Sequence, residues 1–224
     1  MATALIPVIE LEAGRFAARE HPMPTVGARE DPAGWDAWWR HCLAEAGVHI
    51  EPFRTASHSV TLSTLMTSAS LATILARISD DDADPPDEVL ALDGGFALVV
   101  DGAILVEPQC CSDLSNLEGW WKALSSGEEW QMLWIGHPWS WTRRRGDRIE
   151  VAALSEDVAS AVVLAALPQD ELRAAIADAG RALQRAAAML SAGHGSAPKM
   201  DRPLADRLLG LDAWSSSLAA IAAA

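Results

Sequence analysis

Val89-Leu90-Ala91-Leu92-Asp93-Gly94-Gly95-Phe96-Ala97-Leu98-Val99-Val100-Asp101-Gly102-Ala103-Ile104-Leu105-Val106-Glu107 reads as three short strands joined by two tight turns. Val89 to Leu92, Phe96 to Val100 and Ala103 to Glu107 are rich in Val, Leu and Ile, side chains that suit a pleated, half-buried surface. Between them stand Asp93-Gly94-Gly95 and Asp101-Gly102, and Asp-Gly pairs adopt the positive φ values of hairpin turns. The expectation is a three-stranded antiparallel meander. Helical signals on both sides of it make the chain α+β: an antiparallel meander sheet packed by several helices, with a helical C-terminal region.

Towards the N-terminus, Ser79 to Glu88 gathers Asp80, Asp81, Asp82, Asp84, Asp87 and Glu88 around Pro85-Pro86, the composition of a solvated connection. Before it, Leu62, Leu65, Met66, Ala69, Ala72 and Leu75 recur at helical spacing and predict one helix over Thr61 to Ile78. Val48 to Phe53 reads as a short strand. Asp31-Pro32 is a helix start, with a carboxylate placed to accept backbone N–H groups and a proline tolerated in the first turn. The helix runs from Gly34 to Ala46, closes at Gly47, and carries Trp35, Trp38, Trp39 and Cys42 on one face. Leu5 to Leu11 is an apolar run containing Pro7, so a strand there belongs at a sheet edge or begins after the proline.

Towards the C-terminus, a Pro108-Gln109-Cys110-Cys111-Ser112-Asp113 turn leads into a helix capped by Ser112 or Asp113 and carrying Leu114, Leu117, Trp121 and Leu124. Glu129 to Ile135 and Arg148 to Leu154 read as two further strands, with Arg145-Gly146-Asp147 turning into the second. Pro168 opens a long helix whose apolar stripe is Leu172, Ile176, Ala179, Leu183, Ala187 and Leu190, and Gly193 ends it. A linker then reaches Asp201 and a terminal helical region with Leu204, Leu208, Leu211 and Trp214. The organisation expected is an α+β domain over 1–167 and a helical region over 168–224 packed on the same core.

The 224 residues suffice to bury one sizeable core. With 31 acids against 17 bases, the formal charge of −14 repels phosphate backbones and anionic lipid surfaces, and it favours encounter with a basic protein. Neither nucleic acid nor a membrane is an expected partner, and the oligomeric state is left open. No uninterrupted apolar stretch reaches spanning length, because Glu156 and Asp157 cut the region from Val151 to Leu167. Three cysteines, two of them adjacent, make no disulfide framework of the secreted type, and no export signal precedes Val8, so a reducing, cytoplasmic setting is expected.

Chemistry-bearing residues concentrate between Glu107 and Trp141, which holds Cys110, Cys111 and six of the ten tryptophans. A catalytic thiolate needs a base and an electropositive pocket, and Cys110 or Cys111 with His137 and Asp113 is the set that meets the first requirement on paper. Adjacent cysteines do not match the two-to-four-residue separation of paired zinc ligands, and His21, His41, His49, His58 and His194 are scattered, so no metal and no cofactor is expected. Nucleophile elbows and phosphate loops are absent from the sequence. Ten Trp with no Tyr is a skewed aromatic set, and indoles serve both cores and interface hot spots.

An acidic chain with Asp93-Gly94-Gly95 entering a β meander, then a capped helix and Trp-rich strands, resembles the SUKH-like group of bacterial immunity proteins that neutralise polymorphic toxins. The resemblance covers Val89 to Leu154. This chain lacks a Trp-x-x-Leu-Pro stretch before the Gly-Gly pair, and the Cys-Cys turn is foreign to the group's pattern, so no residue roles transfer. What the resemblance implies is a non-enzymatic inhibitor that masks a toxin. Charge and Trp content point independently to a module binding a basic protein, with Asp80, Asp81, Asp82, Asp84, Trp120, Trp139 and Trp141 as the expected contact residues. The rival reading is an enzyme built on Cys110 or Cys111 with His137.

Overall fold

The computed structural model describes residues 2–78, 91–193 and 199–214. Two four-stranded antiparallel sheets organise the chain. The first has the order β2-β1-β3-β4, from β1 (Thr3–Glu10), β2 (Ser59–Thr61), β3 (Gly94–Val100) and β4 (Ala103–Val106). The second is a sequential meander of β5 (Gln131–Leu133), β6 (Ser140–Arg145), β7 (Arg148–Ala152) and β8 (Val163–Pro168). The expected α+β class holds, but its meander is this later sheet.

The hairpin at Asp101-Gly102 forms as expected, with Val100 opposite Ala103. Asp93-Gly94-Gly95 does not turn. Gly94 and Gly95 are the first residues of β3 and pair with Ile9 and Val8 of β1. Their need for glycine is steric: a Cβ on Gly94 would lie 2.1 Å from the Val8 carbonyl oxygen, and φ there is +135°. The anticipated strand over Val89 to Leu92 falls partly outside the described residues, and Ala91 and Leu92 are not in a strand.

β1 lies between β2 and β3, yet β2 covers only Val8 to Glu10. Pro7 therefore sits where β1 is still an edge on that side, which reconciles an interior strand with a residue that has no N–H. Val48 to Phe53 forms no strand. The single helix expected over Thr61 to Ile78 is two, α2 (Leu62–Thr67) and α3 (Leu71–Ile78), preceded by α1 (Pro32–Glu45). The break falls at Ser68, whose backbone is extended (ψ 136°) and whose hydroxyl accepts the Ser70 N–H at 3.1 Å, a local bond that competes with helix continuation. α1 begins as read, Asp31 accepting the Gly34 N–H at 2.9 Å, and it buries Trp39 and Cys42.

Three strands have no counterpart in the sequence-based expectations, β2, β6 and β8. β8 leads directly into α5 (Gln169–Ala192), after α4 (Leu117–Ala123) and before α6 (Arg202–Leu208). Every member of the anticipated α5 stripe, from Leu172 to Leu190, is buried. That stripe packs on β1 of the first sheet, on β7 and β8 of the second, and on α2, α4 and α6. Leu172 to Leu190 of α5 and Ala205, Leu208, Leu209 and Leu211 thus share one apolar core with the rest of the described chain. No helix among the described residues is long and apolar enough to cross a membrane.

Gly94→Ala tests the β1–β3 junction. The new methyl must displace the backbone of the central strand, and the variant is expected to lose roughly 2 kcal/mol or more of unfolding free energy. Gly27→Ala, with open space around the new methyl, is the control that stays within about 1 kcal/mol of the parent in the same urea titration.

Candidate functional site

The second sheet presents one buried and one tryptophan-rich face. Strand alternation aims Leu133, Ser140, Thr142 and Val151 inward, where all four are buried. On the other face Met132 stands opposite Trp141, and Arg143 stands opposite Glu150. The aromatic rows extend past the strand ends: the Arg143 guanidinium lies 4.2 Å from the Trp130 ring centre, and the Trp134 and Trp139 rings stack at 6.2 Å. Trp139 meets Trp141 edge-on at 6.5 Å.

This face is part wet and part apolar. Met132 is 53% exposed and Trp134 39%, and the β8 edge at the far side of the same sheet exposes Val162, Val163 and Leu164. The Trp141 indole donates to the Ser155 carbonyl at 3.0 Å, fixing its ring, whereas the Trp139 indole nitrogen is buried with no hydrogen-bond partner. Arg143 and Glu150 pair at 2.6 Å, so the centre of the face carries two charges that neutralise each other. An apolar surface rimmed by polar groups in this way is the usual mark of an interaction site.

Of the anticipated contact residues, Trp139 and Trp141 belong to this face. Trp120 does not: it is fully buried at 0% exposure, and its role as a surface contact is withdrawn. The reason is a phase error. A 3-10 turn over Leu114–Asn116 precedes α4, so the buried residues step by three through Leu114, Leu117 and Trp120. Trp121, placed in the core by a uniform α-helical spacing, is half-buried and faces the Arg173 guanidinium at 5.7 Å. Asp80, Asp81, Asp82 and Asp84 lie outside the described residues.

Cys110 and His137 meet without the imidazole taking part. The His137 N–H donates to the Cys110 carbonyl at 3.0 Å, and the Cys110 thiol donates to the His137 carbonyl at 3.3 Å. Gly136 permits this approach, since a Cβ there would lie 2.3 Å from the Gln109 carbonyl oxygen. The imidazole itself turns to Glu156, with 3.1 Å between Nε2 and Oε1. Asp113 is occupied as a cap, accepting the Ser115 N–H at 2.7 Å. The four residues are brought near one another, but no thiol is hydrogen-bonded to an imidazole.

The electrostatics here oppose a thiolate. Cys111 is exposed at φ +64°, and Cys110 pushes its thiol up from the ordinary range, with Asp93 and Glu10 adding to the effect. Burial in turn raises Glu10, helped by Asp93 and Glu12. Partial burial raises Asp93, against the pull of Arg15. A nucleophilic cysteine needs the reverse, a positive setting that lowers its pKa.

A third constellation was not anticipated. His41 and Glu45 occupy one face of α1 a helical turn apart, and the segment after Phe16 brings His21 onto them. The donor atoms of the three side chains lie within 4.8 Å of one another. His21 also lines a cleft of about 560 Å³ with Trp35, Trp38, Cys42 and His58. Burial lowers the His58 pKa there, against the opposing charge of Asp36. The legible half of this group was the His41-to-Glu45 spacing; the expectation that the histidines are scattered fails because His21 joins from a loop. Comparison with known protein families, curated proteins and solved structures gave no match to this chain.

Two outcomes follow from the acidic surroundings of the cysteines. Replacing the first cause, Cys110→Ser, speeds iodoacetamide alkylation of Cys111 near neutral pH, by about tenfold per pKa unit recovered; an unchanged rate by mass spectrometry contradicts the assignment. Glu10 holds its proton more tightly in the folded than in the unfolded chain, so stability falls as pH rises from the ordinary carboxylate range through its raised value. Glu10→Gln removes that part of the slope in urea titrations between about pH 4 and 7.

Proposed function

We propose that this chain is a non-enzymatic protein-binding module that docks a basic protein through the tryptophan face of its second sheet, in the manner of an immunity protein holding a toxin. The observation that carries the reading is the row of exposed Met132 and Trp134 with half-buried Trp139 and Trp141, carried by β5 and β6 at the β5 edge of the second sheet. Rigid indoles held by neighbours bury large area at little entropic cost, and residues of this type dominate binding energy at interfaces. An unpaired strand edge adds backbone donors and acceptors that an extended partner segment can meet.

Charge selects the partner's sign. A formal charge of −14 accelerates encounter with a basic protein and penalises acidic ones, while the neutralised Arg143–Glu150 pair leaves the contact centre without net charge. Long-range attraction and short-range apolar hold are thereby assigned to different residues. The turned-away His137 imidazole and the raised Cys111 thiol supply no competing nucleophile at the Cys-Cys turn.

The direct test is co-expression with the product of the neighbouring reading frame. The expected result is a complex that co-purifies and relieves that product's toxicity. Trp134→Ala and Met132→Ala, both at exposed positions, weaken the complex, with about 2 kcal/mol or more for an anchoring Trp and less for Met. Higher salt slows association without abolishing the complex. A neighbouring product that neither binds nor harms the cell, or a complex indifferent to both substitutions, overturns the reading.

A further inference from the structure

α1 and the segment between Phe16 and Asp31 meet at a group of side chains with no evident packing role. His41 and Glu45 are exposed on α1, and His21 is tucked against them, its side chain 11% exposed. The two imidazoles sit edge to face with centroids 4.6 Å apart. This contact brings a nitrogen of each ring and a Glu45 carboxylate oxygen within 4.8 Å of one another.

The His21 nitrogen is incompletely satisfied. His21 Nε2 is 2.9 Å from Glu45 Oε1, yet it is a buried polar atom without a hydrogen-bond partner. The separation is that of a hydrogen bond, but the direction of the ring nitrogen misses the oxygen. Two donors lying side by side without pointing at each other is the arrangement of ligands around a common ion. Glu45 is held ready for it: its second oxygen accepts the Ala18 N–H at 2.8 Å, which fixes the carboxylate from behind.

We infer that His21, His41 and Glu45 form a binding site for a divalent transition-metal ion, zinc being the ion their donor types fit best. Two imidazole nitrogens and one carboxylate oxygen are borderline donors of the kind zinc takes, with a fourth position left for water or an outside ligand. Bonds of about 2.0–2.2 Å in tetrahedral array place ligand atoms roughly 3.3–3.5 Å apart. The present spread of up to 4.8 Å closes by rotation of the exposed His41 side chain towards the fixed Glu45 carboxylate. Arg19, at 3.9 Å from Glu45 Oε1, is the competing cation; its side chain is 79% exposed and free to swing into solvent. The ion clips the irregular segment that carries His21 onto α1, along the wall of the cleft lined by Trp35, Trp38 and His58.

The experiment is calorimetric titration of the full chain with Zn²⁺ in a non-chelating buffer, paralleled by Co²⁺ titration read in the visible spectrum. One equivalent is expected to bind, with Co²⁺ developing the intense bands of a tetrahedral site. Loss of outer-shell partners alone weakens metal sites about 10–100-fold, so His41→Ala and Glu45→Gln, which remove ligands, are expected to weaken binding at least that much. His49→Ala, just beyond α1, leaves it unchanged. Circular-dichroism melting of the metal-free variants establishes that each is folded. Zn²⁺ is also expected to slow tryptic cleavage after Arg19 and Arg29 in the parent but not in His41→Ala. Binding no tighter in the parent than in a His41→Ala, Glu45→Gln double variant overturns the site, and cleavage indifferent to Zn²⁺ overturns the clip.

Discussion

Helix α5 holds the two sheets together. Its stripe from Leu172 to Leu190 lies against β1 of one sheet and β7 and β8 of the other, and burying large aliphatic side chains this completely contributes roughly 1.5–3 kcal/mol apiece. β1 is the other half of the constraint. It is paired on both sides along part of its length and covered by α5, so its backbone has nowhere to shift. Gly94 lets β3 approach that fixed strand, and Gly95 leaves room for Ser112 and Pro108 on the other side. The tryptophan face is a by-product of the same arrangement: with one side of the second sheet committed to the core, period-two alternation sends Met132, Trp141 and Arg143 to the other.

Much of this was legible residue by residue. Asp31-Pro32 starts α1, Asp101-Gly102 turns a hairpin, and the spacing from Leu172 to Leu190 marks α5 with its stop at Gly193, because each rests on interactions within a few residues. The failures share a different cause. A glycine needed for close approach looks identical in sequence to a glycine needed for a turn, which is why Asp93-Gly94-Gly95 was read as a bend. β8 sits within the apolar run from Val158 to Leu167, whose uniform character offers no period to separate strand from 3-10 turn. Trp120 and Trp121 exchanged places because a turn of tighter helix shifted the phase ahead of α4.

The functional residues divide the same way. Trp139 and Trp141 stood out by composition and reach the same face. The Cys110–His137 neighbourhood was also foreseen, but spacing along the chain says nothing about which atoms meet, and here the Cys110 backbone and thiol meet only the His137 main chain while the imidazole goes to Glu156. His21, His41 and Glu45 were invisible as a set because the segment after Phe16 has to fold back on α1 before they exist as neighbours. Sites assembled across irregular chain are the part of a protein that periodicity cannot reach.

The bare β8 border, with Val162 64% exposed, carries a liability for the molecule as a whole. Any second copy can lay its own border alongside and begin a stack, the first step of precipitation. Net negative charge is the safeguard, since identical molecules repel one another while an oppositely charged stranger is drawn in. Ionic strength therefore acts as a dial on colloidal behaviour: in dilute buffer the chains keep apart, and as screening shortens the reach of that repulsion, the border becomes available to its own kind.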